Sequence, residues 1–148
     1  MTGEPVIPGE EDIMHREIVQ PRGVSGPRAP YSSAVKVSGF GSLVFTAGVL
    51  PDDSEGNIVC KGDIVGQTAQ ITRNLAAVLE AAGVAPGNVV QTTTYVVESA
   101  MEDFLRKDAF HEGLALFGNP TDTLVGVARL ALSGEGQLIE ISAVAVAG

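Results

Sequence analysis

The sequence has few basic, aromatic and sulfur-containing residues, and each shortage narrows the functions open to it. Nine Lys and Arg stand against eighteen Asp and Glu, so the net charge is −9 at pH 7. A chain of this charge repels phosphate backbones, and we therefore predict no nucleic-acid partner. Its one cysteine, Cys60, cannot form an internal disulfide, which agrees with a reducing compartment. With no tryptophan and 5% aromatic residues, the core must consist mainly of Val, Leu, Ile and Ala.

Long hydrophobic runs, targeting signals and metal ligands are scarce as well. No run of about 18 apolar residues is present, so we predict no membrane span. The start, MTGEPVIPGEEDIMHREIV, is acidic where a signal peptide is basic, which predicts a cytoplasmic protein. Two histidines and Cys60 form no pair at ligand spacing, so we predict no metal site. We interpret His111, the histidine outside the N-terminal segment, as a surface or packed residue.

The remaining composition is that of one globular domain. Hydrophobic residues make up 45% of the chain and charged residues 18%, which excludes disorder over most of its length. A chain of 148 residues is long enough to bury a core. Residues 1–20 are rich in Gly, Pro and acidic side chains. We therefore predict a mobile tail over 1–20 and a single domain over 21–148.

Periodicity and turn residues predict the order β-β-α-β-α-β-β. The predicted segments are strands on either side of Gly39-Phe40-Gly41, a helix from the cap Asp63 to Gly83, a strand over 88–97, a helix from the cap Ser99 to about Phe117, a strand after Asp122, and the strand QLIEISAVAV. Such an order predicts a two-layer α+β fold with two helices on one face of a sheet. The other face stays uncovered although Leu138, Val144 and Val146 are apolar, which predicts an oligomer.

Two carboxylates interrupt the apolar strands. Asp122, in NPTDTLVGVARLAL, stands where a strand begins, so it is either a turn residue or a group directed at a ligand. Glu140 interrupts an uncharged run from Leu138 to Gly148, so it either faces solvent in an alternating strand or lies in a cleft. In a cleft, desolvation fits a carboxyl group for acid–base chemistry. If Asp122 lies at a sheet end, neighbouring strands would bring it into the same region as Glu140.

Three stretches together resemble the RidA (YjgF) family of enamine/imine deaminases. They are APYSSAVKVSGFGSLVFTAGVLP, DIVGQTAQITRNLAAVLEAAGVAPGNVVQTTTYVV and VARLALSGEGQLIEISAVAV. The resemblance covers nearly everything from Gly26 to Val146. It implies a chorismate-mutase-like α+β fold with a mixed sheet, and a homotrimer in which three sheets form a barrel with ligand clefts between subunits. It also implies hydrolysis of reactive imines to ketoacids and ammonia without metal or cofactor.

The resemblance implies the catalytic and backbone residues of a cleft. Tyr31 in APY and Glu140 in IEI match the tyrosine and glutamate that line the family's cleft. Gly48 in FTAG matches the backbone that approaches the ligand. The family anchors its substrate carboxylate with the arginine of a P-x-R element, since a planar guanidinium binds carboxylates through two hydrogen bonds. Here that element reads Pro120-Thr121-Asp122, so the charge is reversed.

Three further positions differ from the family in side chain. Leu124 replaces a small polar or thiol residue that many relatives have, and Ala47 stands where relatives often have a serine. Asp108 stands at a position similar to that of an asparagine that is frequent in the family. We predict Glu140, Tyr31 and Asp122 as catalytic residues. The predicted substrate-binding residues are Gly48, Ala47, Asp108 and Leu124. The predicted pocket keeps its acid, loses its cation and becomes more apolar.

Three functions follow from these residues. The first is a RidA-like small-molecule enzyme that processes a neutral or cationic imine or enamine, because like charges in the cleft exclude a carboxylate. The second is a non-catalytic trimer that binds a metabolite or a partner, which loss of the arginine favours. The third, an endoribonuclease, conflicts with the net charge of −9.

Overall fold

The described residues, 13–106 and 108–148 of a computed structural model, form six strands and three helices. They are β1 (His15–Val19), β2 (Ala34–Ser38), β3 (Ser42–Phe45), α1 (Ile64–Ala81), β4 (Val89–Val97), α2 (Met101–Arg106), α3 (Ala109–Leu116), β5 (Thr121–Val127) and β6 (Ile139–Ala147). No helix among them is long and apolar enough to cross a membrane.

A mixed four-stranded sheet has the strand order β3-β6-β4-β5. β4 and β5 are parallel, whereas β6 is antiparallel to both β3 and β4. The buried residues of α1, such as Ile71 and Leu75, share two hydrophobic clusters with those of β4 and β6. The helices thus cover one face of this sheet, as the two-layer prediction required.

The first predicted helix is confirmed at both ends. The Asp63 carboxylate accepts a hydrogen bond from the Gly66 N–H at 3.0 Å, which satisfies one of the free amides of the first turn. At the other end Gly83 adopts φ +75°, a left-handed conformation that glycine reaches without strain. The Val84 N–H then bonds the Leu79 carbonyl at 2.9 Å and closes the helix.

The second predicted helix, Ser99 to Phe117, is wrong as a single element. A 3-10 turn precedes α2, which ends at Arg106, and a separate helix, α3, begins at Ala109. Phe104 and Phe110 are both buried, although positions six apart on a continuous helix point about 120° away from each other. With α2 and α3 as separate helices, the ring centroids of Phe104 and Phe110 lie 4.8 Å apart, so core packing overrides local helix propensity.

The predicted mobile tail requires a correction over residues 15–19. β1 pairs along its whole length with β2 in a separate two-stranded antiparallel sheet. Arg16 attaches this sheet to the domain, because its guanidinium donates to the carbonyls of Gly118 at 2.6 Å and Val89 at 3.2 Å. Residues 1–12 of the predicted tail lie outside the described residues.

Burial alternates along β6 from Ile139 to Ala145. Ile139, Ile141, Ala143 and Ala145 are buried, whereas the residues between them are half-buried. On the face turned away from the helices, Phe45 pairs with Val144 in β6. Phe45 is 71% exposed, and Leu43 on the same face is 48% exposed. A single chain therefore leaves part of its apolar sheet face open to solvent.

Candidate functional site

Asp122 lies inside a strand and is not a turn residue. It is the second residue of β5, directly opposite Thr92 of the parallel strand β4. The hydroxyls of Thr92 and Thr94 both donate to its Oδ1 atom, at 2.7 and 2.8 Å. Since these threonines are two positions apart, they project from the same face of β4 and hold one carboxylate oxygen between them.

The loop that carries Tyr31 is attached to the start of the same strand. Asn119 adopts φ +51° and its N–H bonds the Leu114 carbonyl, which ends α3 and turns the chain into β5. The Ser32 hydroxyl donates to the Asn119 carbonyl at 2.6 Å, and the Ser32 N–H donates to the Pro120 carbonyl at 3.0 Å. These two bonds fix Tyr31 beside the strand that holds Asp122.

Tyr31, Asp122 and Leu124 line one cleft of about 350 Å³. Its other lining residues come from the loop before β2 and from α2 and α3: Arg28, Ala29, Phe104, Leu105, Phe110 and His111. The structure thus brings together three residues that the sequence assigned to a site. The aromatic and basic members were missed, since the packing of α2 and α3 that places them here has no local sequence signal.

Burial and hydrogen bonding act in opposite directions on the carboxyl group of Asp122. Burial raises the pKa of this carboxyl group above its ordinary value, and the hydrogen bonds from Thr92 and Thr94 oppose that rise. Its second oxygen, Oδ2, has no hydrogen-bond partner among residues 13–106 and 108–148. Asp122 therefore has one oxygen fixed by the sheet and one oxygen left for a ligand.

Glu140 belongs to a second group of predicted residues, around Gly48. Thr46 and Val49 donate backbone hydrogen bonds to β6 at 2.9 and 2.7 Å, and Gly48 between them lies over the Glu140 side chain. A Cβ atom at position 48 would stand 2.5 Å from the Glu140 Cδ atom. The buried amide of Gln137 donates to Glu140 Oε1 at 3.4 Å. Glycine at 48 thus leaves the space that this carboxylate occupies.

An open groove of about 540 Å³ runs past this second group. Ala47 and Gly48 line it, together with residues of the following loop and of α1. Within that loop, backbone N–H groups lower the pKa of Asp53, and Asn74 donates to the carbonyls of Leu50 and Asp52. These bonds keep the loop that follows Gly48 in place.

The two groups lie on opposite faces of the sheet within one chain. Asp122 is opposite Thr92, and Glu140 is opposite Tyr95. Thr92 and Tyr95 are three positions apart on β4, and residues an odd number of positions apart on a strand point to opposite faces. The expectation that neighbouring strands bring the two carboxylates into one region is therefore wrong for a single chain.

Asp108 lies apart from both groups. It is exposed between α2 and α3, where its carbonyl accepts the Glu112 N–H at 3.0 Å. The cleft beside Asp122 includes other residues of these helices but not this one. Within the described part of the chain, no three His, Cys, Asp or Glu side chains are grouped so that they could hold a metal ion.

Known proteins with similar sequences share nearly the whole domain. The model of the family described as Endoribonuclease L-PSP matches residues 24–147. A RutC family protein of Pyrococcus horikoshii is 34% identical over 130 residues, which cover 88% of this chain and 97% of that protein. The 2-iminobutanoate/2-iminopropanoate deaminase of Salmonella typhimurium is 35% identical over 120 residues, 79% of this chain and 87% of that enzyme.

Solved structures show the same fold. A Rid family protein of Yersinia pestis matches with a TM-score of 0.74 and 30% identity, over 88% of this chain and 98% of that chain. TdcF of E. coli, solved with bound serine, matches with a TM-score of 0.61 and 27% identity, over 89% of this chain and 99% of its own. These likenesses confirm the mixed α+β fold that the sequence predicted.

Proposed function

Because this chain belongs to the Endoribonuclease L-PSP family, the family of the YjgF, RidA and RutC proteins, we propose that it is a small-molecule enzyme that hydrolyses an imine or enamine. Family membership supports an imine- or enamine-related function in general, and one relative is a 2-iminobutanoate/2-iminopropanoate deaminase. We propose a different substrate for this chain, namely a neutral or cationic imine rather than a 2-iminoacid.

The position of Asp122 carries this proposal. In the resembled P-x-R element a cation would bind the substrate carboxylate, whereas here a carboxylate lines the cleft with a free oxygen. Two negative charges in a partly buried cleft repel each other strongly, so a 2-iminoacid binds poorly. A protonated imine, by contrast, gains a charge-assisted hydrogen bond from the same oxygen. This chain is thus proposed to be a divergent member that has exchanged its anchoring cation for an anion.

The proposed reaction replaces a C=N bond with a C=O bond. Glu140 takes a proton from water, and the water oxygen forms a bond to the imine carbon. Asp122 stabilises the positive charge of the protonated imine nitrogen, and Tyr31 donates a hydrogen bond at the reacting centre. Glu140 then returns its proton to the nitrogen of the resulting carbinolamine, and the C–N bond breaks to release the amine. As the C=O bond forms, the hydroxyl group loses its proton to Glu140, which passes it to solvent. Neither metal nor cofactor enters these steps.

This reaction requires more than one copy of the chain. Asp122 and Glu140 lie on opposite sheet faces, so both can enter one site only where the cleft of one copy meets the sheet face of another copy that carries Glu140. We propose a homotrimer with clefts between subunits. The exposed Leu43 and Phe45 support this assembly, because association removes them from water.

A non-catalytic trimer that binds a metabolite or a partner is the second candidate. The separation of Glu140 from the cleft of its own chain favours it, since binding at Asp122 does not require Glu140. We do not propose the endoribonuclease activity that the family's description names. At a net charge of −9 the chain lacks the electrostatic attraction that recruits a polynucleotide.

A trapping assay tests the proposed enzyme. An amine oxidase acting on 1-phenylethylamine releases an imine without a carboxylate, and an amino-acid oxidase acting on leucine releases a 2-iminoacid. In each case semicarbazide traps the imine that has not been hydrolysed. We expect this protein to lower the trapped fraction of the first imine more than that of the second, and Glu140→Gln to abolish the effect. Equal turnover by Glu140→Gln would contradict the proposed role, and no turnover of either imine would favour the binding trimer.

A further inference from the structure

We propose that the cleft beside Asp122 selects cations that carry an aromatic or branched apolar group on the carbon next to nitrogen. This inference rests on the proposed function and specifies its substrate class. A primary ammonium ion of the same skeleton should occupy the cleft as the protonated imine does, with its N–H groups directed at Asp122.

The cation preference follows from how Asp122 is held. Thr92 and Thr94 fix Oδ1 at 2.7 and 2.8 Å, so the carboxylate cannot rotate freely to meet a ligand or to avoid one. The free Oδ2 accepts hydrogen bonds but donates one only when protonated. A ligand N–H carried by a positive charge satisfies this oxygen with the strongest hydrogen bond available to it.

The apolar preference follows from the walls of the cleft. Phe104 and Phe110 are buried, with ring centroids 4.8 Å apart, and both line the cleft together with Leu105. Leu124 follows Asp122 on the same face of β5 and adds an apolar surface beside the carboxylate. At about 350 Å³ the cleft falls in the size range of small-molecule sites. The aromatic ring of a ligand bound there loses its contact with water, while the positively charged nitrogen of the ligand remains at Asp122.

Two basic residues also line the cleft without neutralising Asp122. Arg28 and His111 are exposed, and neither forms an ion pair with Asp122 within the described residues. The exposed position of Arg28 places its charge where solvent and salt screen it. The charge next to the apolar walls is therefore that of the aspartate.

Three small probes test this selectivity by ligand-observed NMR titration of the full chain. 1-Phenylethylammonium has the ring and the cation, 2-phenylpropanoate has the same skeleton with a carboxylate, and isopropylammonium has the cation with a methyl group in place of the ring. We expect the first to bind at least tenfold more tightly than either of the others. Tighter binding of 2-phenylpropanoate, or equal binding of all three, would overturn the proposal.

Asp122→Asn provides the matched variant. Asparagine keeps an acceptor for the two threonine hydroxyls, so the strand contacts survive, but it removes the charge. We expect it to weaken 1-phenylethylammonium binding by about 10- to 100-fold, the usual weight of a hydrogen bond to a charged group. Asp103→Asn on the exposed face of α2 makes the same change in net charge outside the cleft and should leave binding unchanged.

The titration and the trapping assay test separate claims, so either claim can fail while the other holds. Ammonium binding that depends on Asp122, without imine turnover, supports this inference and overturns only the proposed enzyme. Imine turnover without any effect of Asp122→Asn on binding supports the enzyme and overturns this inference.

Discussion

The carboxyl group of Glu140 occupies the space in which a side chain at position 48 would begin. A Cβ atom there would lie 2.5 Å from both Cδ and Oε2 of the glutamate. The position of the Glu140 carboxyl group therefore depends on the absence of a side chain at residue 48.

Gly48→Ala should displace Glu140 with little loss of stability. The overlapping atoms are the end of a flexible side chain, which can rotate away at the cost of its position. We expect the free energy of unfolding to fall by less than about 1 kcal/mol, since the strain is relieved by one rotamer change, and imine turnover to fall at least tenfold. Gly134→Ala, where no heavy atom lies within 4 Å of the added Cβ, serves as the control for urea unfolding and for the assay. Unchanged turnover by Gly48→Ala would separate Glu140 from the chemistry.

Asp122 should make stability depend on pH in a defined direction. Burial raises the pKa of its carboxyl group in the folded protein, so the folded state keeps a proton over a pH range in which the unfolded chain has lost it. The stability of the wild type relative to Asp122→Asn should therefore fall as the pH rises from the ordinary aspartate pKa of 3.8, and level off above the raised pKa. Urea unfolding of both proteins at constant ionic strength, between pH 4 and 8, measures this difference. A difference that grows with pH would show that Asp122 is stabilised as the anion.

Arg16 should determine whether β1 stays attached to the domain. Arg16→Met removes two hydrogen bonds from a charged donor to backbone carbonyls, each worth about 1.5–3 kcal/mol. We expect faster amide hydrogen exchange throughout β1 and a free energy of unfolding lower by roughly 2 kcal/mol. Arg22→Met removes an exposed arginine that follows the strand and should change neither quantity. If β1 exchanges equally fast in the wild type and in Arg16→Met, the strand does not depend on this contact.

Phe45 should be required for assembly. Its ring is exposed in one chain, on the sheet face that we propose to lie between subunits. Phe45→Lys places like charges in that interface, where they lose hydration without a partner, and should dissociate the trimer. Leu116→Lys, on the exposed side of α3, should leave it intact. Sedimentation velocity distinguishes these outcomes, and a monomeric wild type at micromolar concentration would exclude both the trimer and the shared site.

Local chemistry made the ends of α1 predictable, but not the arrangement of the site. Asp63 and Gly83 act on the backbone next to them, so their roles can be identified in the sequence. The faces of Asp122 and Glu140 depend on how β4 pairs with both β5 and β6, and that register is a long-range property.

The residues that form the walls of the cleft could not be predicted from local sequence patterns either. Phe104 of α2 packs on Phe110 of α3, although the helical pattern of the sequence runs through both helices without interruption. Similarly, nothing in the acidic N-terminal segment indicates that Arg16 bonds carbonyls 73 and 102 positions away. Residues whose partners are this distant are found only once the fold is known.

The substrate preference of Asp122→Arg tests the central claim most directly. The substitution places at residue 122 the arginine that the resemblance to a P-x-R element implies, where this chain carries an aspartate. From the trapping assay, the ratio of kcat/KM for the imine of 1-phenylethylamine to that for the 2-iminoacid from leucine should exceed 1 in the wild type. We expect this ratio to fall at least 100-fold in Asp122→Arg, because the variant loses one charge-assisted contact and gains another. An unchanged ratio would show that residue 122 does not contact the substrate and would contradict the account of the site.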